Sequence, residues 1–231
     1  MEYLRNRIVT GEFAPGTRLN ENEIASRLDI SRPPLREAFR VLENEYLAIS
    51  IPRRGTFVTE MSIEDFAEMM QVRRMTECFA VDILESKNIK DPPLVEEALL
   101  NEKKLSLPEE NDPDKIIDFY RHFSGFHMKL VESTKNFRMI HFYQAININL
   151  ARYQLTYLLK PGSVMRSLEE HQQFIEYIRA GAYKEAKDLL QSHIKNAYNF
   201  YKKNLPNMNQ DAKGIAYQNQ IVPLSETSGL Q

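Results

Sequence analysis

S-R-P-P-L-R-E-A-F-R, Ser31 to Arg40, puts three arginines on one helical segment at i, i+4 and i+8. That spacing keeps Arg32, Arg36 and Arg40 near one face of a helix. The opposite face reads Leu35, Phe39 and Leu42, a core-facing stripe, and Ser31 stands where a helix cap is expected. An apolar back with arginines in front is built to press against something anionic. Arginine is also the side chain whose planar fork matches guanine edges and phosphates. Such a row is most often only a solvated helix face, so its neighbours decide the matter.

Upstream, Glu21 to Leu28 (E-N-E-I-A-S-R-L) reads as a short helix with Ile24, Ala25 and Leu28 inward, and Asp29-Ile30-Ser31 makes a tight connection. Two short helices joined this way, the second one basic, form a helix-turn-helix. Downstream, Leu47 to Ile51 and Thr56 to Thr59 are β-branched runs flanking Pro52-Arg53-Arg54-Gly55, a hairpin with a basic tip. Arg53 and Arg54 can reach a minor groove or its phosphates there. Helix, turn, basic helix and basic hairpin in this order predict a winged helix-turn-helix over residues 1–60.

The run from Gly11 to Leu47, G-E-F-A-P-G-T-R-L-N-E-N-E-I-A-S-R-L-D-I-S-R-P-P-L-R-E-A-F-R-V-L-E-N-E-Y-L, followed by P-R-R-G-T-F-V at Pro52 to Val58, closely resembles the DNA-binding domain of the GntR family of bacterial transcription regulators. The resemblance implies base and phosphate contacts from Arg32 and Arg36 and a wing tip at Gly55. Ser31, Arg40, Arg53 and Arg54 complete the expected DNA-binding set. Two positions depart from the pattern. Asp29 and the Glu45-Tyr46 pair stand where the family usually has glycine, and Tyr tolerates a left-handed backbone poorly.

The charge balance sharpens this reading. The 30 basic and 32 acidic residues give a net charge of −2, unlike the strongly basic balance of many nucleic-acid binders. The basic residues of the first domain are all arginine, Lys87 being the first lysine, and Glu21, Glu43 and Glu45 are expected away from the arginine row. Modest counterion release then calls for two copies on one operator, a homodimer on palindromic double-stranded DNA. No apolar run is long enough for a membrane span and no signal peptide is expected, and the single Cys78 fits a reducing cytoplasm.

After Ser62 the pattern turns helical. Helices are expected at about 63–86, 93–105, 114–133, 136–160, 164–180 and 183–204, an all-α bundle of about six helices over residues 61–205 with an irregular tail at 206–231. Three histidines lie on apolar helix faces. His127 shares its face with Phe123, Leu130 and Val131. His171 goes with Leu168, Ile175 and Ile178, and His193 with Ala186, Leu189, Ala197 and Phe200. A lone inward histidine is usually a hydrogen-bonded core residue. Here His171 lies ten residues before Gly181 and His193 twelve after it, so a helical hairpin turning at Gly181 brings both to one level. Facing imidazoles invite a shared divalent metal, Zn or similar; a shared water or proton is the plainer alternative.

F-H-M-K-L-V-E-S-T-K-N (Phe126 to Asn136), E-E-H-Q-Q-F-I-E-Y-I-R-A-G (Glu169 to Gly181) and L-L-Q-S-H-I (Leu189 to Ile194) resemble the FCD ligand-binding domain of the FadR-like branch of GntR regulators. The resemblance implies metal ligands at His127, His171 and His193. It also implies an aspartate one turn before the first histidine, where this chain has Phe123. Asp118 and His122 repeat the D-x3-H spacing out of frame. Arg73 and Glu77 match the family's R-x3-E, which makes Arg73 an anchor for a small carboxylate effector or half of an i,i+4 ion pair. Asn147 and Arg152 are further effector-binding candidates.

The expected function is a ligand-responsive repressor, not an enzyme. Two other readings stand beside it: a metal-dependent hydrolase on the three histidines, weakened because Glu170 faces away from His171, and a metal-free effector sensor.

Overall fold

The computed structural model describes residues 1–105, 113–158 and 163–215. Residues 1–62 form one compact unit and residues 63–205 another. In the first, helix α1 (Glu2–Val9) precedes strand β1 (Arg18–Leu19), α2 (Glu21–Leu28), α3 (Arg32–Asn44), β2 (Ala48–Ile51) and β3 (Gly55–Val58). The sheet is antiparallel in the order β1-β3-β2, with Ala48 opposite Val58 and Ile51 opposite Gly55. Leu4 and Ile8 of α1, Ile24 of α2, and Leu35, Phe39 and Leu42 of α3 are all buried with Leu47 and Val58. Sequence periodicity marked α2, α3 and the hairpin. It missed α1 and the two-residue β1.

The local chemistry explains where the helices start and stop. The Asn20 side chain accepts from the Asn22 and Glu23 backbone N–H groups and caps α2. Asp29 ends that helix in the left-handed conformation, at φ 50° and ψ 47°. Ser31 occupies the cap position of α3 but makes no side-chain capping bond. The N–H groups that such a hydroxyl would meet belong to Pro33 and Pro34, which have none. The Ser31 hydroxyl therefore stays exposed at the front of α3. Tyr46, 78 % exposed, turns the chain after α3 at φ 58°, so the strain expected for a non-glycine residue is present.

The second unit is all-α. Helix α4 (Ile63–Ser86) is followed by α5 (Pro93–Glu102), α6 (Pro113–Phe123), α7 (Gly125–Glu132), α8 (Phe137–Leu158), α9 (Ser163–Ala180) and α10 (Tyr183–Ile215). The helix expected over 114–133 is two helices broken at Ser124, so the described residues hold seven helices here rather than six. Gly125 favours that break, because glycine weakens a helix interior. Helix α5 packs against α6, α7 and α9, and α4 packs against α7 and α8. Helix α10 runs to Ile215 instead of ending at Asn204. Pro206 removes one backbone donor and disfavours a helix without forbidding it. The expected end of the 136–160 helix at residue 160, and the tail beyond 215, lie outside the described residues.

Candidate DNA-reading face and buried histidine site

The front of α3 is a row of exposed guanidinium groups set on a buried back. Leu35 and Leu42 are fully buried and Phe39 nearly so, while Arg32, Arg36 and Arg40 are exposed. Among the described residues Arg32 has no ion-pair partner. Arg40 pairs with Glu37 of its own helix at 2.8 Å. Arg36 donates from Nε to Glu21 Oε2 at 2.9 Å, fifteen residues away on α2. Glu21 was expected away from the row and instead crosses the turn to join it. A helical wheel of α3 alone cannot show a neighbour on α2.

Arg53 and Arg54 are exposed at the wing, with Arg53 at φ 64° and Gly55 at φ 108°. A Cβ on Gly55 would sit 3.1 Å from the Arg18 Nε atom. Arg18, on β1, thus adds an exposed cation beside the wing tip that the sequence reading missed. The missed signal was the third strand. Glu45, by contrast, is held away from the row by Arg5 of α1 at 2.5 Å.

In the helical unit the three histidines meet. Their ring centroids lie 4.8 Å apart for His127–His171, 5.1 Å for His127–His193 and 5.0 Å for His171–His193. The two histidines flanking Gly181 therefore do come to one level. One ligand atom from each lies within 4.8 Å of the other two.

Each Nδ1 is held by a glutamate on a different helix. His127 Nδ1 lies 2.9 Å from Glu77 Oε2 of α4. His171 Nδ1 lies 2.9 Å from Glu102 Oε2 of α5, and His193 Nδ1 lies 2.5 Å from Glu170 Oε2 of α9. Nδ1 groups held by carboxyl groups leave the Nε2 atoms for a ligand, as a second sphere does for imidazole ligands. The Nε2 atoms of His127 and His171 lie 3.2 Å apart, within hydrogen-bond reach of each other. Phe126 stacks on His171 at 3.9 Å and fixes the ring plane. Three imidazoles so oriented fit a borderline divalent cation such as Zn²⁺, and could hold one.

Burial pushes the pKa values of His127 and His171 well below the imidazole value, with the Arg73 charge acting in the same direction on both. Both are neutral at neutral pH, the form that binds metal. Burial pushes Glu102 up to about 9, partly offset by a backbone hydrogen bond from Phe126 and the nearby His193. Glu77 is buried too, which raises its pKa. The Arg73 charge, then His127 and the Tyr143 hydroxyl, outweigh that and hold it well below the carboxylate range.

Arg73 is 1 % exposed and donates from Nε to Glu77 Oε1 at 2.6 Å, so the expected ion pair exists. Its Nη2 atom is buried with no hydrogen-bond partner among the described residues. Arg73 also lines a small cavity with His127, His193, Phe123, Ser124 and Gln154. The cavity volume is about 30 Å³. Asn147 is half-buried and Arg152 buried, but neither is among the lining residues. Gln154 and Ser167 supply the polar wall instead. Phe123 brings a ring, 6.1 Å from that of His171, where a carboxylate was expected. Asp118 and His122 pair with each other at the surface, away from the site. No helix among the described residues is long and apolar enough to cross a membrane.

Residues 1–58 match the family model described as bacterial regulatory proteins, gntR family, and residues 68–196 match the FCD domain. The chain is 24 % identical to the HTH-type transcriptional regulator YdhC of Bacillus subtilis, over 91 % of each chain. It is 36 % identical to the gluconate operon transcriptional repressor of Bacillus subtilis over 47 % of this chain and 44 % of that one. A transcriptional regulator structure from Rhodococcus sp. RHA1 shares the fold with a TM-score of 0.65 at 24 % identity, covering 94 % of this chain and 96 % of that one. These relatives are regulators rather than enzymes, which sets the hydrolase reading aside. A basic reading helix with a wing, followed by a helical unit whose histidines converge, thus has its counterpart in known proteins: the chain belongs to the GntR family, in the branch that carries an FCD domain, and is a DNA-binding transcription regulator.

Proposed function

We propose that the protein is a cytoplasmic repressor that binds a palindromic operator as a homodimer and is released by a small organic acid. In this reading residues 1–60 are the DNA-reading head and residues 61–205 the sensor. Ser31, Arg32, Arg36, Arg40, Arg53, Arg54 and Gly55 meet DNA, joined by Arg18. The observation that carries the sensor half is the Arg73 Nη2 group, buried and unpartnered, in the wall of a cavity shared with His127 and His193. A buried donor without an acceptor costs about 1–3 kcal/mol, which an anionic ligand would recover. The similarity to the gluconate operon transcriptional repressor supports the sign of regulation.

His127, His171 and His193 would hold the metal, and a bound divalent cation supplies a Lewis-acid contact for a carboxylate oxygen. The chain's own residues do the rest. Glu77, Glu102 and Glu170 fix the imidazole rings, and Arg73 takes a second carboxylate oxygen. Phe123 excludes water from one wall and leaves that side without a protein carboxylate. Effector binding then biases the placement of the two reading heads in a dimer. The coupling needed is about 1–3 kcal/mol, or about 5- to 150-fold in operator affinity.

The test uses the purified full-length protein: elemental analysis, mass in solution, and thermal shift with a panel of short carboxylic acids before and after chelation. Stoichiometric Zn or a similar metal, a dimer mass and a chelator-sensitive stabilisation by one acid are the expected results. Stabilisation by an acid with no metal present supports the metal-free sensor instead. No response to any acid, or an Arg73→Ala variant that responds to the same acids as wild type, refutes the effector site.

A further inference from the structure

The three arginines of α3 are not equivalent, and the difference lies in one acidic side chain of the preceding helix. Arg32 is unpaired among the described residues, and Arg40 shares a strongly exposed pair with Glu37 on the same helix. Arg36 alone is held from another element, by Glu21 in the first turn of α2. The start of that turn is itself fixed by the Asn20 cap. The bond runs from the Nε edge of the guanidinium, at 2.9 Å, with Arg36 61 % and Glu21 32 % exposed.

We propose that Glu21 is a positioning residue for base recognition: its carboxylate grips Arg36 by Nε and presents the two Nη groups to a guanine. A free arginine offers five N–H donors and can meet a phosphate through any edge. Occupying the Nε edge leaves the end-on fork, which matches the O6 and N7 acceptors of guanine in the major groove. The same carboxylate repels the phosphate backbone, so it weakens binding to every sequence while improving the reading of one base. A glutamate there makes sense only if discrimination outweighs affinity. This rests on α3 being the reading helix, and the experiment separates the two ideas.

The experiment selects a preferred duplex from a randomised double-stranded pool with the full-length wild-type protein. Each enriched guanine is then replaced singly by 7-deazaguanine, which deletes the N7 acceptor. Wild type should lose about tenfold at one guanine of each half-site. Arg36→Ala should lose that penalty. Glu21→Ala should also lose most of it, while its binding to a scrambled duplex stays equal or strengthens. Glu21→Gln removes the charge but keeps an oxygen acceptor for the Nε–H, and should retain most of the penalty.

A full penalty in Glu21→Ala at the guanine that depends on Arg36 would overturn the positioning role. So would Glu21→Gln behaving as Glu21→Ala, because charge alone would then explain the effect. If Arg36→Ala leaves every guanine penalty unchanged, the reading-helix assignment itself fails.

Discussion

Replacing Glu77 by glutamine tests the centre of the helical unit. The carboxylate is completely buried and serves three donors: Arg73 Nε at 2.6 Å, the Tyr143 hydroxyl at 2.6 Å and His127 Nδ1 at 2.9 Å. Glutamine keeps one oxygen acceptor but turns the other into an N–H donor and removes the charge that balances Arg73. Arg73 is 1 % exposed and cannot turn to water. Leaving one partner of a buried ion pair uncompensated costs about 3–5 kcal/mol, far above the 0–1 kcal/mol of a surface pair. For a unit of this size each kcal/mol moves the melting temperature by about 2–4 °C, so Glu77→Gln should lower it by roughly 6–20 °C.

Calorimetry of the full-length chain, following the transition of the helical unit, reads this directly. A loss below about 1 kcal/mol would refute the argument, because it is what an exposed pair gives. The double variant Arg73→Met with Glu77→Met sharpens it. Apolar side chains replacing a buried pair are often neutral or stabilising, so the double variant should regain most of the loss. A double variant as unstable as the single one would show that charge is not the cause. The sign with pH follows from the depressed pKa of Glu77. Its contribution is complete above the ordinary carboxylate value and is lost as pH falls below it, a dependence that Glu77→Gln should remove.

Three further outcomes can be checked. Glu102 has a pKa raised to about 9, so its contribution is complete below the ordinary value of 4.5 and is lost as pH rises through about 9. Metal-free protein should therefore weaken toward alkaline pH in thermal melts, and Glu102→Gln should flatten that limb; an unchanged limb would place the cause elsewhere. Tyr46 holds φ 58° with an exposed ring, so Tyr46→Gly should stabilise the winged unit by about 1 kcal/mol; an unchanged or lower melting temperature would remove the strain argument. Arg32→Ala should reduce the slope of log affinity against log salt by about 0.9, one phosphate contact, and an unchanged slope would take Arg32 out of the interface.

What could be read in the sequence was whatever a local period carries. The stripe Leu35-Phe39-Leu42 set the back of α3, and the distances from Gly181 placed His171 and His193 on one level because both lie on helices of a single hairpin. Where the reading failed, the cause lay across elements. Glu21 faces Arg36 from another helix, and Arg18 reaches the wing through a two-residue strand with no periodicity to detect. Ser31 was expected to act as a capping side chain from its residue type. The two prolines behind it had already removed the donors, a conflict visible in the sequence itself.

The glutamates of the histidine site show the same limit more sharply, and they bear on function. Glu77 reaches His127 across 50 residues, Glu102 reaches His171 across 69, and Glu170 reaches His193 across 23. No spacing rule links such pairs, since each depends on how α4, α5 and α9 pack. The site is thereby tied to two helices, α4 and α5, beyond α7, α9 and α10, which carry the histidines. Glu77 also holds Arg73, so one carboxylate touches both an imidazole and the guanidinium facing the cavity. An anion that drew Arg73 away from Glu77 would change the partner of His127 and load the contact between α4 and α7. A sensor needs such a link, in which occupying the cavity changes the packing of a helix. Glu77→Gln should therefore weaken the thermal-shift response to carboxylic acids as well as the fold, whereas a purely structural glutamate would alter the melting temperature and leave the ligand-induced shift intact.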